Sequence, residues 1–315
     1  MTAAPQTQPR AVDLSVSVAG IALKNPIIAA SGTFGYGIEF EDVVALEKLG
    51  GFVVKGLSRE PMPGNPPPRV YETAAGMLNS IGLQNIGARA FVSETLPRLN
   101  KLANIITIAN IFGYTREDYE ETIRILNDGE GISAYELNVS CPNTKSGGIA
   151  FGSVPGLLSE VVKAAKRVAR RPLIVKLSPN VTSIGQMARV AAEAGADALS
   201  LINTFVALAI DPETRRPRIS NITAGLSGPA IKPIAVRMVW EAAQAVKVPI
   251  IGIGGISTAE DVIEFMLAGA SAVEVGTANF WDPCATERIV ADLERWCLQH
   301  RVARIAELTG GMITG

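Results

Sequence analysis

Short β-branched apolar runs alternate with longer segments of helical apolar spacing along almost the whole chain, and eight such runs can be counted. They are Pro26 to Ala30, Phe52 to Lys55, Asn104 to Ala109, Ala134 to Val139, Pro172 to Leu177, Ala198 to Ile202, Pro249 to Ile253 and Ala272 to Val275. Their near-continuous apolar character, without alternation, is that of parallel strands covered by helices. The apolar spacing predicts helices over Glu41 to Leu49, Arg116 to Asn127, Gly156 to Arg170, Ile184 to Ala194, Pro233 to Val246 and Thr258 to Leu267. Ser257 with Glu260 reads as a capping box, and Gly50 as a helix stop after Leu49. Eight strand-helix units in 315 residues predict an α/β fold, a TIM (β/α)8 barrel of a single domain. The barrel is expected over residues 13–311, with flexible ends at 1–12 and 312–315. Two connections exceed what a barrel requires: Gly56 to Ala103, with a helix expected near Ala88 to Asn100, and Asn203 to Lys232. Long connections in compact domains usually serve function.

Composition removes several classes of function. Lys and Arg number 29 against 30 Asp and Glu, a formal charge of −1, so no general attraction to nucleic acid or anionic membrane is built in. The basic run from Lys166 to Arg171 reads as a solvated helix end. Uncharged stretches such as Ala74 to Ala88 run about 15 residues and contain Asn, Gln and Gly, short of the roughly 20 apolar residues of a membrane span. Met1 to Val12 lacks the cationic start and apolar run of a secretory signal, so a cytoplasmic protein is expected. Cys141, Cys284 and Cys297 are too few and scattered for a disulfide framework. The single histidine, His300, lies in a segment with helical charge spacing (Glu287 to Leu308) and reads as solvated. One histidine excludes Ser-His-Asp, Cys-His and His-rich zinc sites built within one chain. No metal site is expected.

The active face of such a barrel lies at the C-terminal ends of its strands. Here these ends are polar. They present Ser31-Gly32-Thr33, Lys55-Gly56, Asn110, Asn138 to Asn143, Lys176, Asn203-Thr204, Gly254-Gly255 and Gly276-Thr277. Glycines after the last two strands let backbone N–H groups approach a phosphate, a recurrent use of this face, so a phosphate-bearing ligand is expected. Cys141 stands among Asn, Ser and Pro in the loop after the fourth strand and is the best available base or nucleophile, whereas Cys284 and Cys297 read as buried, inert thiols. Lys55 and Lys176 each end an apolar strand. Their charge must meet an anion, or be neutralised as in a Schiff-base enzyme.

The runs Ala30 to Gly37, Met77 to Asn85, Asn138 to Asn143 and Gly225 to Pro233, taken in order, resemble dihydroorotate dehydrogenase, more narrowly the catalytic subunit of its NAD-linked class 1B. The resemblance spans roughly residues 13 to 311. It implies FMN at the barrel mouth, its phosphate on Gly254-Gly255 and Gly276-Thr277, with Ser31, Lys55, Gly56, Asn110, Asn138, Lys176, Ile202 and Gly228 around the flavin. It implies dihydroorotate on the flavin face, held by Lys55, by Asn79, Ser80, Ile81, Gly82 and Leu83, by Asn138, and by Asn203 and Thr204. Cys141 matches the catalytic base, where class 2 members use serine. The implied reaction is oxidation of (S)-dihydroorotate to orotate in de novo pyrimidine biosynthesis.

The chain has no G-x-G-x-x-G, and three dispersed cysteines cannot supply the four thiolates of an ordinary iron–sulfur cluster. The resemblance accordingly implies a partner subunit carrying FAD and a [2Fe–2S] cluster, in a heterotetramer built on a homodimer of this chain. Ile86, Ala224 and the bulky run Phe205 to Leu208 depart from the family pattern. The alternatives are a fumarate-linked class 1A enzyme, a dihydropyrimidine dehydrogenase-like enzyme, and a Schiff-base aldolase using Lys176.

Overall fold

The computed structural model describes residues 11–102, 105–140, 142–143 and 149–314. Residues 1–10, Asn104 and Cys141 lie outside the described residues. Eight parallel strands close into a barrel: β1 (Ile27–Ala29), β2 (Gly51–Val53), β3 (Thr107–Ile111), β4 (Ile132–Asn138), β5 (Leu173–Leu177), β6 (Ala198–Leu201), β7 (Ile250–Ile253) and β8 (Ala272–Val275). Each pairs with its sequence neighbours, and β8 pairs with β1 to complete the ring. All eight expected strands are present, the third displaced a few residues toward its C-terminus.

Outer-face residues such as Tyr135, Leu137, Val175 and Val273 are fully buried beneath helices α1 (Arg116–Leu126), α2 (Pro155–Val168), α3 (Ile184–Glu193), α4 (Lys232–Ala245), α5 (Ala259–Leu267) and α6 (Ala285–His300). The inner face differs. Residues two apart share a face of a strand, and Ala134-Glu136-Asn138, Ile174-Lys176, Ala198-Ser200 and Ala272-Glu274 form sets of this spacing. Apolar residues, three of them alanine, thus sit deep in these strands and polar ones nearer the mouth.

Three local expectations are corrected. Glu41 to Leu49 is not a continuous helix but part of a turn-rich segment with 3-10 turns at Ile38–Phe40 and Leu46–Lys48. The chain breaks at Ala45, whose N–H donates to Glu287 Oε2 at 3.0 Å, while Lys48 pairs with Glu287 Oε1 at 2.6 Å. Tertiary bonds to α6 here override local helical spacing. Gly50 is no helix cap; a Cβ on it would lie 2.1 Å from the Asn25 carbonyl, so glycine is required by close backbone approach. The capping box of α5 is Thr258 with Asp261, one residue later than Ser257 with Glu260.

The two long connections are structured and meet. From Gly56 to Ala103 come strands Val70–Thr73 and Gly76–Asn79 and a helical run over 88–102; from Asn203 to Lys232 come Phe205–Ala207 and Ala224–Ser227. The four strands form one antiparallel sheet beside the mouth, with Gly76–Asn79 and Ala224–Ser227 at its centre. Ile86 donates its N–H to the buried Tyr36 hydroxyl at 3.1 Å, a bond that a proline at this position would lack.

In urea unfolding, Thr258→Ala should lose about 1 kcal/mol of stability. Ser257→Ala should lose less, since its hydroxyl only adds a bond to the already capped Asp261.

Candidate functional site

A cavity of about 480 Å³ opens at the C-terminal ends of the strands. Every residue of the expected site except Cys141, which lies outside the described residues, lines it. Asn110, Asn138 and Lys176 come from β3, β4 and β5. Asn79, Ser80, Ile81, Gly82 and Leu83 come from the antiparallel sheet and its following loop, and Asn203 and Thr204 follow β6. Ser31, Lys55, Gly56 and Ile202 continue the ring, and Gly228, Gly254, Gly255, Gly276 and Thr277 complete it.

The glycine side of the cavity presents bare backbone. Gly255 has φ +75°, and a Cβ there would come 2.8 Å from the Gly228 carbonyl; Gly228 has φ +99°, and its Cβ would meet the Gly76 Cα at 2.6 Å. No side chain is tolerated at either position. Thr277 Oγ1 donates to Ser227 Oγ at 2.8 Å and ties the loop after β8 to this backbone.

The amide side is preorganised by its own bonds. Asn138 Oδ1 accepts from Ser140 N at 3.1 Å and from Asn203 Nδ2 at 3.2 Å, and Asn203 Nδ2 also donates to Ser140 Oγ at 2.9 Å. The Asn138 carboxamide oxygen is thereby engaged, which leaves its NH2 group as the donor for a ligand. Asn203 Oδ1 accepts from Thr204 N at 2.8 Å.

Three cations with different surroundings face the cavity. Lys55 is half-buried and forms no ion pair among the described residues; burial, reinforced by the Arg69 guanidinium, holds its ammonium below the ordinary lysine range. Arg69 was not anticipated from the sequence. It also lines the cavity, oriented by the Asn65 carbonyl at 3.2 Å and Gln84 Oε1 at 2.7 Å. Lys176 is 7% exposed and lies 2.9 Å from Glu274 Oε2 and 3.3 Å from Glu136 Oε1. Burial alone would lower it, but the two carboxylates outweigh burial and raise it above an ordinary lysine. An amine so firmly protonated is unsuited to Schiff-base formation.

Glu136 and Glu274 were missed because apolar neighbours in β4 and β8 hide them. A usable signal was present: each stands two residues before a mouth position, Asn138 and Gly276, and so shares its inward parity. The reading of Cys284 as buried is also corrected. It is exposed just before α6, with its Sγ 3.4 Å from the Val43 carbonyl, whereas Cys297 is buried and its thiol is pushed up to about 11 by desolvation. His300 is exposed and stacks on Trp296. Among the described residues, no group of three or more His, Cys, Asp or Glu side chains is placed to hold a metal ion.

The family profile of dihydroorotate dehydrogenase matches residues 13–297. The chain belongs to the dihydroorotate dehydrogenase family. A protein of Solibacter usitatus provisionally named dihydroorotate dehydrogenase A (fumarate) is 63% identical over 94% of this chain and 97% of its own. The dihydroorotate dehydrogenase B (NAD(+)) catalytic subunit of Pelobacter propionicus is 55% identical over 95% of this chain and 98% of its own. The Geobacter sulfurreducens protein of the same name is also 55% identical, over 95% and 98%. In fold, the chain matches a crystal structure of the Eimeria tenella enzyme with TM-score 0.76 and 24% identity, covering 95% of this chain and 88% of that one.

Dihydroorotate dehydrogenase family enzymes bind FMN. The residues present suit it: a glycine-bounded stretch of open backbone for a phosphate, and a cation with amides where a flat heteroaromatic ring offers acceptors and donors. Lys176→Met removes the cation from a buried pair of acids. It should cost about 3–5 kcal/mol in urea unfolding of the purified protein.

Proposed function

We propose that this chain oxidises (S)-dihydroorotate to orotate, a step of de novo pyrimidine biosynthesis, with FMN in the cavity and Cys141 as the base. The observation that carries this reading is the convergence, in one mouth, of unpaired Lys55, oriented amides and a bare-backbone rim. When bound, FMN supplies the two-electron acceptor. The residues for it are Ser31, Lys55, Gly56, Asn110, Asn138, Lys176, Ile202 and Gly228, with Gly254, Gly255, Gly276 and Thr277 for its phosphate.

The substrate carboxylate suits Lys55 and Arg69, two cations without a carboxylate partner among the described residues. Asn79, Asn138 and Asn203 offer carboxamides to the ring, whose donors and acceptors alternate, and Ser80, Ile81, Gly82, Leu83 and Thr204 shape the wall that excludes water. Oxidation removes a proton from the carbon beside a carbonyl. Cys141 Sγ takes this proton, and no histidine competes for the role. Lys176 places positive charge where negative charge develops as electrons arrive.

The electrons go on to NAD through a partner subunit carrying FAD and a [2Fe–2S] cluster, in a heterotetramer on a homodimer of this chain. Relatives named as catalytic subunits support this. Exposed Val206, Leu208, Ile210 and Ile222 give the mouth-side connection an apolar strip suited to association. No described helix is long and apolar enough to cross a membrane, and we place the protein in the cytoplasm. A second reading, fumarate as the direct acceptor, is favoured by the name of the Solibacter relative. Mixing the isolated chain with dihydroorotate and fumarate decides between them. We expect a yellow protein that dihydroorotate bleaches and fumarate fails to reoxidise at a catalytic rate; rapid turnover with fumarate establishes the second reading.

Cys141→Ser should keep the flavin spectrum and lose about 100-fold or more in turnover at neutral pH. Because Lys55 binds an anion only while protonated and its value is lowered, orotate affinity should fall as pH rises, at a lower pH than an ordinary lysine would impose. Lys55→Met should bind orotate weakly and without this alkaline limb, as followed by the absorbance change of the flavin.

A further inference from the structure

Beneath the mouth, Glu136 and Glu274 are both fully buried, and Lys176 is the one cation between them among the described residues. If both acids were ionised, the group would carry a net charge of −1 with no water to solvate it, a state that buried sites avoid by taking up a proton. Both carboxyl groups also contact one ammonium, at 3.3 and 2.9 Å, so two ionised acids would be held close enough to repel, and a proton on one of them relieves the repulsion.

The donors are divided unequally. Glu136 accepts from Lys176 Nζ, from Asn110 Nδ2 at 2.5 Å and from Ser200 Oγ at 2.9 Å. Among the described residues Glu274 accepts from Lys176 alone, and its Oε1 meets no donor. The strand register explains the difference. Asn110 stands opposite Glu136, and Ser200 opposite Lys176, whereas Glu274 stands between Ile28 and Ile253. Among the described residues, the one other buried Asp, Glu, Lys or Arg is Asp261, and it is engaged by Lys232 at 2.6 Å.

We propose that Glu274 is a positioning residue that keeps its proton, leaving Glu136 as the only countercharge of the Lys176 ammonium. The triad is then neutral, and Lys176, with two of its three N–H groups held from below, aims the third at the cavity without a surplus anion to oppose an electron-rich ligand above it. Electrostatics agrees in direction. Burial and the Glu136 carboxylate push Glu274 well above the usual carboxylate range, while Glu136, despite its burial, is held below it by Lys176, Glu274, Asn110 and Ser200. The effect on the cofactor rests on the reading that FMN occupies the cavity; the protonation of Glu274 does not.

Two measurements test the proposal, and the first needs no cofactor. Infrared difference spectra of the flavin-free protein at neutral pH should show the C=O band of a buried carboxylic acid, shifted by deuterium exchange and lost in Glu274→Gln. Absence of that band from the wild-type protein overturns the proposal. The second uses the flavin-loaded protein, with sulfite as the probe, since its adduct places negative charge on the isoalloxazine. Glu274→Gln, which replaces one neutral group by another, should leave sulfite affinity and the flavin midpoint potential close to wild type. If both acids were ionised in the wild-type protein, Glu274→Gln would instead remove a real charge and tighten sulfite binding on the order of tenfold or more. Such tightening overturns the proposal. An acid band in a protein that binds no flavin keeps the protonation of Glu274 and removes the functional reading instead.

Discussion

A closed ring of eight parallel strands has an interior that only side chains can fill, and much of this molecule follows from what fills it near the open end. Lys176, Glu136 and Glu274 converge there from β5, β4 and β8, and the ammonium is held at 2.9 and 3.3 Å by carboxyl groups from opposite sides of the barrel. Such a group contributes little net stability compared with apolar packing of the same volume, because desolvation cancels most of the attraction. Its value lies in position. It sets a fixed positive charge at the floor of a cavity that Lys55 and Arg69 also line, among neutral amides, glycine backbone and aliphatic side chains.

The walls depend on the connections more than on the barrel. The antiparallel sheet that unites residues 70–79 with 205–227 brings the Asn79 to Leu83 loop toward Thr204, and Gly225 packs so closely on Thr204 that a Cβ would lie 2.2 Å from its Oγ1. Two segments more than a hundred residues apart thus form one wall. The floor is rigid because it is built on strands; the wall is held by ladder bonds and a few side-chain contacts, among them the Tyr36 hydroxyl beneath Ile86.

The barrel was legible in the sequence because its signal is repeated: apolar strands separated by amphipathic helices leave few other architectures. The mouth residues followed, since barrel geometry says where each strand ends and those ends are polar. What stayed hidden depends on contacts across the fold. Glu287 of α6 captures Ala45 and Lys48, which unmakes the helix expected from Glu41 to Leu49. Arg69 reaches the cavity only because the strand that follows it, Val70–Thr73, is held there by a sheet. Glu136 and Glu274 look like stray charges in apolar runs until strand closure places them around one lysine. Thr258 and Ser257 are equally good caps by composition, and only backbone geometry selects the former.

The order in which the triad's members leave the ribosome adds a constraint on how the chain matures. Lys176 and Glu136 emerge early and can pair as soon as β4 and β5 zip together, but Glu274 sits on the last strand. Until that strand slots between β7 and β1, the nascent barrel has an open seam facing water, so its polar interior is solvated, not desolvated. Sealing the seam is therefore also the moment at which the final acid must choose between staying ionised in water and entering as a neutral group. A chain truncated before β8 would lack both the wall and the acid, and its cofactor floor would never become dry.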